Sequence, residues 1–452
     1  MQSLNPATCE VLKNYPEHTS SEVNKILEKV QQEWQSWKET SFAYRGELFS
    51  KAANILRTNK DFYARLMTTE MGKILRESQA EIEKCANACE FFAKESGNLL
   101  KDQILASDAS RSLVVFQPLG VILAVMPWNF PFWQVFRFAA PTMMAGNAAV
   151  LKHSSNVPGC ALAIESIFRD AGFPENIFRT LMIPSKDVEP VIAHPHIMAV
   201  TLTGSESAGI QVAGTAGKHI KKTVLELGGS DSFIVLEDAD MDKAVQIAVT
   251  ARMINQGQSC IAAKRFIVVE SRVKEFEEKI KVALESLVIG DPLEIATNVG
   301  PMARKDLVDE IDAQVQESIR KGARLILGGK RPNRDGYYYL PTILTEVRKG
   351  FPVYDQETFG PVVAIIPVKD EEEAVIVAND SIFGLGGSVW TKDLKRGEAV
   401  ARKINTGAVF VNGLTKSDPR LPFGGIKKSG YGRELSEYGI KEFVNIKTIW
   451  IC

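Results

Sequence analysis

The feature that most constrains this chain is a repeated alternation of short aliphatic runs with amphipathic stretches between Val121 and Val411. Val121-Ile122-Leu123-Ala124-Val125 is one β-type run, and Val150-Leu151-Lys152 ends another before a helical segment from Ala161 to Phe168. Ile197 to Leu202 is a third run, followed at once by Thr203-Gly204-Ser205 and a helix through Val212. A second block repeats the pattern. It has strands at 232–236 and 265–269, helices at 241–256 and 273–287, and later strands at 324–327, 362–366 and 409–411. Strand, helix, strand, helix in this rhythm predicts parallel sheets covered by helices, because a parallel connection needs a crossover long enough to hold a helix. The expected fold is α/β, with two Rossmann-like domains. Residues 20–89 read as scaffold helices.

At 452 residues the chain is too long for one compact core. Lys+Arg (54) and Asp+Glu (55) nearly cancel, so neither nucleic acid nor an anionic membrane is called for as partner. No run of 18 apolar residues predicts a membrane span, and the first residues lack a secretion-signal pattern. The six cysteines have no framework spacing, which points to a reducing cytoplasm. Cys85 and Cys89 lie four apart with no second pair to answer them, so no metal site is expected.

Several stretches carry chemistry. Thr203-Gly204-Ser205 opens a helix, and a helix N-terminus with glycine and hydroxyl groups suits phosphate. Lys152 ends a strand in the same way. Glu226 stands at a strand end before Gly228-Gly229, where open α/β sheets bind ligands. Asn129 lies between Pro127 and Pro131, a rigid turn that can aim an amide at a developing oxyanion. Cys260 closes Asn255-Gln256-Gly257-Gln258-Ser259-Cys260. Each has a plain structural alternative when taken singly: a turn asparagine, an ion-paired glutamate, a core cysteine.

Taken together, Pro127–Pro131, Glu226–Gly229, Gly257–Cys260, Glu357–Pro361 and Pro422–Gly430 resemble, in order and spacing, the signature stretches of the NAD(P)-dependent aldehyde dehydrogenase superfamily. The resemblance covers essentially the whole chain. Met253 departs from it, standing where the family often has phenylalanine. The resemblance implies Cys260 as nucleophile, with its thiol pKa lowered near helix dipoles. Asn129 and the Cys260 N–H form an oxyanion hole, Glu226 is the base that activates water, and Glu434 is an auxiliary proton relay. It implies cofactor contacts at Trp128, Lys152, Ser155, Gly204, Ser205, Leu227, Glu357 and Phe359. It further implies a cofactor-binding domain over 1–98 and 119–227, a catalytic domain over 228–427, and a small β oligomerisation element over 99–118 and 428–452. A homodimer or homotetramer follows.

Ser155 replaces the glutamate that grips the ribose in NAD-preferring relatives. NADP is therefore the expected preferred cofactor, with NAD as the second, since serine can bond a 2′-phosphate that a carboxylate would repel. The stretches 131–138 and 421–425 are similar to those of the shorter bacterial succinate-semialdehyde dehydrogenases within the family. That implies Arg137 and Ser417 on a distal carboxylate and Trp133 as a wall. A broad-specificity aldehyde dehydrogenase, an acylating enzyme that passes the acyl group to CoA, and a non-catalytic relative are the competing readings. Ala262 stands where some homologues have a second cysteine, so no local disulfide is expected.

Overall fold

The computed structural model describes residues 1–452. Four helices come first: Ser20–Trp37, Phe42–Thr58, Lys60–Met71 and Leu75–Leu99. The first starts at Ser20. Thr19 is its N-cap and forms a capping box with Glu22, which satisfies donors at both ends of the turn.

One six-stranded sheet has the order Gly430–Tyr431, Lys222–Glu226, Ile197–Thr203, Val121–Met126, Ala148–His153, Phe178–Thr180. All its pairings are parallel except that of Gly430–Tyr431 with Lys222–Glu226. The chain runs from Val121–Met126 to one side, then returns to place Ile197–Thr203 on the other. The ends of those two strands therefore form a topological switch point, the crevice in which such sheets bind ligands. The second sheet is seven-stranded: Arg324–Leu327, Thr342–Thr345, Val362–Val368, Ala263–Val269, Asp231–Val235, Gly386–Trp390, Ala408–Val411. Only its edge strand Arg324–Leu327 is antiparallel. The central strands of both sheets are buried along nearly their whole length, as parallel strands covered on two faces must be.

One sequence expectation is corrected in shape. The helix expected to reach Gln256 ends at Met253, because Asn255 and Gln256 adopt left-handed φ of +50° and +56°. The C-terminal strand Val444–Ile451 pairs antiparallel with Arg111–Pro118 of its own chain, so its ladder is satisfied internally on that side. With Gln103–Leu105 these form a separate three-stranded sheet. No helix is long and apolar enough to cross a membrane.

Candidate active site

The site lies where the carboxyl ends of the first sheet's strands meet the amino ends of the second sheet's strands. Glu226 ends Lys222–Glu226, the Asn129 turn follows Val121–Met126, and Cys260 precedes Ala263–Val269. Glu357 precedes Val362–Val368. A cavity of about 490 Å³ at this junction is lined by Trp128, Asn129, Gly204, Ser205, Leu227, Cys260, Glu357 and Phe359, all expected site residues.

The cysteine loop is built by close backbone approach. Gly257 has φ +76°, and a Cβ there would overlap the Gly360 carbonyl. A Cβ on Gly229 would sit 2.6 Å from the Cys260 carbonyl oxygen. Asn129 Nδ2 donates to the Gln258 carbonyl at 3.1 Å, and Asn255 Nδ2 donates to the Asn129 carbonyl at 2.7 Å. The oxyanion turn and the cysteine loop are thus tied together. An amide nitrogen carries two N–H groups, so Asn129 keeps one for a ligand.

Burial pushes the Cys260 thiol up to about 12, against the pull of Arg137 and Lys264. This reverses the expected lowering. Cys260 follows a short left-handed turn and does not itself open a helix, and desolvation outweighs the nearby cations. The side chain is nonetheless partly exposed. Burial also raises Glu226 well above the usual carboxylate range, and the charge of Glu434 adds to the rise. Neither Glu226 oxygen has a hydrogen-bond partner in the protein.

Arg137 is 1% exposed and forms an ion pair with Glu434. Its guanidinium also lies 4.6 Å from the centre of the Phe423 ring and donates to Thr203 Oγ1 at 3.3 Å. The two residues assigned separate roles from sequence therefore form one buried pair beside Glu226.

Trp133 and Ser417 meet elsewhere in the same region, with Lys84 between them. Lys152 lines a second cavity of about 480 Å³ and donates to Ser185 Oγ at 3.2 Å. Ser155 is exposed on the turn that follows and lines neither cavity. The Ser205 hydroxyl caps its own helix by accepting from the Ala208 N–H at 3.3 Å.

Sequence reading missed several supports. Lys264, fully buried, donates to the Ser259 and Cys260 carbonyls and lies 3.3 Å from Glu357 Oε1. Glu357 Oε1 also accepts from the Gly229 N–H at 3.0 Å. Buried Arg252 donates to the carbonyls of Ala263, Thr358 and Gly360, clamping the Glu357 loop to the cysteine loop. Glu81 Oε1 accepts from the Phe132 and Trp133 N–H groups, both at 2.9 Å. A signal existed for Lys264 and Arg252, since Lys264 stands with Arg265 in an otherwise apolar strand and Arg252 in the largely apolar second half of its helix. For Glu81 there was none.

A sequence profile of the Aldehyde dehydrogenase family matches residues 1–449. The chain belongs to that family. The NADP(+)-linked probable succinate-semialdehyde dehydrogenase of Synechocystis sp. is 53% identical over 450 residues, covering 100% of this chain and 99% of that one. The Mycobacterium leprae succinate-semialdehyde dehydrogenase [NADP(+)] is 46% identical over 453 residues, with coverage of 100% and 99%. Among solved structures, the succinic semialdehyde dehydrogenase of Streptococcus pyogenes in complex with NADP+ superposes with a TM-score of 0.98. It is 39% identical and covers 100% of this chain and 99% of its own. The aldehyde dehydrogenase fold accounts for both sheets and for the junction at which Cys260 sits.

Proposed function

We propose that the chain oxidises succinate semialdehyde to succinate, with NADP as the preferred cofactor and NAD as the second. The observation that carries this is the meeting of Cys260, Asn129, Glu226 and Glu357 at one junction, with the Arg137 cation beside them. The NADP-linked relatives named above support the choice of substrate and cofactor.

The two cavities adjoin along the Leu202–Ala208 turn, one beside Cys260 and one beside Lys152, and match the two halves of a dinucleotide. Lys152, Ser185 and Lys186, which line one cavity, would hold the adenosine end, and Ser155, exposed on the turn after Lys152, would reach its 2′-phosphate. Gly204 and Ser205 would hold the diphosphate at a helix N-terminus. Trp128, Leu227, Glu357 and Phe359 would hold the nicotinamide end. When bound, the cofactor accepts the hydride that leaves the substrate carbon.

Cys260 supplies the nucleophile. Its thiolate is the minor form, stabilised by Arg137 and Lys264, and the thiol proton passes to solvent. The sulfur bonds to the aldehyde carbon, and the carbonyl oxygen becomes an alkoxide held by Asn129 Nδ2 and the Cys260 N–H. Loss of hydride leaves a thioester on Cys260. Glu226, when ionised, takes a proton from water, and the hydroxide so formed adds to the thioester carbon. The C–S bond breaks, releasing succinate and the thiolate. In this reading Glu434 tunes Glu226, Arg137 and Ser417 face the distal carboxylate, and Trp133 walls the carbon chain.

The three-stranded edge sheet leaves Ile104, Leu105, Ile446 and Trp450 exposed, which supports a homodimer or homotetramer formed through it. The six cysteines without a disulfide framework support a cytoplasmic location. A panel of succinate semialdehyde, butanal and benzaldehyde, each with NADP and NAD, tests the reading. The expected result is the highest kcat/KM for succinate semialdehyde with NADP. Equal values for the three aldehydes would favour a broad-specificity enzyme.

A further inference from the structure

Lys84 belongs to no motif. It projects from the Leu75–Leu99 helix, half-buried, and its Nζ donates to Ser417 Oγ at 2.6 Å. The same ammonium lies 4.1 Å from the centre of the Trp133 ring. Trp133 and Arg137 are four apart on one helix, so they share a face and are separated by about 6 Å of rise. The Arg137 guanidinium depresses both the Lys84 ammonium and the Cys260 thiol, which places all three in one electrostatic neighbourhood.

The local charges do not balance. Glu434, which burial raises but contact with Arg137 pulls back down, is committed to Arg137, and Glu81 to Lys73. Glu226 is raised well above the usual carboxylate range, so it is a poor permanent counter-ion. Lys84 remains, with a neutral hydroxyl and an aromatic face as its partners. Burial, followed by Arg137, lowers its pKa to about 8. A desolvated ammonium without an anion is unfavourable, and an incoming carboxylate relieves it.

Resting on the substrate reading above, we infer that Lys84 is a specificity-determining residue, and that its ammonium, with the Ser417 hydroxyl, binds the distal carboxylate of the substrate. Arg137, already neutralised by Glu434, is then the weaker of the two cations toward that group. Trp133 holds Lys84 from the side opposite the carboxylate and passes the methylene chain toward Cys260.

The test is the ratio of kcat/KM for succinate semialdehyde to that for butanal, which has the same carbon count and no charge. It is measured for the wild type, Lys84→Met and Lys84→Arg. Methionine keeps the length of the stem and removes the charge. Loss of one charge-assisted contact predicts a ratio lower by about tenfold to a hundredfold in Lys84→Met. Lys84→Arg should recover at least part of it. A merely structural Lys84 would lower both substrates together and leave the ratio unmoved. A ratio within threefold of wild type in Lys84→Met overturns the inference while leaving the substrate reading intact. A wild-type ratio near one overturns the substrate reading itself, and this inference with it.

Discussion

Lys264 and Cys260 are joined through the backbone: the buried ammonium donates to the Cys260 carbonyl at 2.8 Å and to the Ser259 carbonyl at 2.9 Å. The same ammonium reaches Glu357 at 3.3 Å, so one cation fixes both the nucleophile loop and the residue proposed to hold the nicotinamide ribose. Lys264→Met leaves two buried carbonyls without this donor, each costing about 1–3 kcal/mol. The expected outcome in steady-state kinetics is a kcat/KM at least tenfold lower, about what one such loss implies, with a raised KM for NADP. Wild-type values for both would show that Lys264 only fills space.

The Cys260 thiol, pushed up to about 12, is protonated across the neutral range in the free enzyme. Its thiolate fraction should rise about tenfold per pH unit, since one proton is lost. The rate of Cys260 alkylation by iodoacetamide, followed by peptide mass spectrometry from pH 6 to 9, is predicted to climb throughout. A plateau at or below pH 8 would mean that the cations outweigh burial.

Glu434 raises Glu226 by its charge, while Arg137 lowers it. Glu434→Gln removes the first effect and frees Arg137 to exert the second more fully. Both changes favour the ionised Glu226. The acid limb of kcat, where that limb reports water activation, should therefore move to lower pH. A shift to higher pH in the pH–rate profile would contradict the proposed coupling.

Glu81 serves two structures at once. It pairs with Lys73, and its Oε1 holds the first turn of the Trp133–Met144 helix. Glu81→Gln leaves Lys73 as an unpaired buried charge, a loss of about 3–5 kcal/mol. Urea denaturation should show that loss. The oxyanion turn should loosen with it, lowering kcat for any aldehyde. An unchanged urea midpoint would remove Glu81 from the support of the site.

The catalytic set was legible because each member sits in a short stretch whose local rules are strict. Asn129 lies between prolines, Glu226 precedes a glycine pair, and Gly257 permits the close approach of Gly360. The parallel sheets were legible from the alternation of strands and helices. The helix boundary at Met253 was not, because asparagine tolerates a left-handed φ but Gln256 does not ordinarily adopt one. The Arg137–Glu434 pair joins residues far apart in the chain (434 − 137 = 297 positions), and no local pattern announces it. Lys84 and Glu81 occur on a helix rich in charge, where most such residues face water. Only their packing against Trp133 and the Asn129 turn separates them from a solvated face. The direction of the Cys260 pKa failed for a related reason: burial decides it, and burial is a property of the assembled junction.

In the proposed mechanism Cys260 carries the acyl group of succinate semialdehyde, and Glu226 activates the water that removes it. The most direct measurement combines Glu226→Gln with succinate semialdehyde and NADP, followed by peptide mass spectrometry. The expected result is about one equivalent of NADPH per active site, then arrest, with a succinyl group on the Cys260 peptide. Continued turnover at the wild-type rate, or an arrested enzyme whose Cys260 is unmodified, would contradict it.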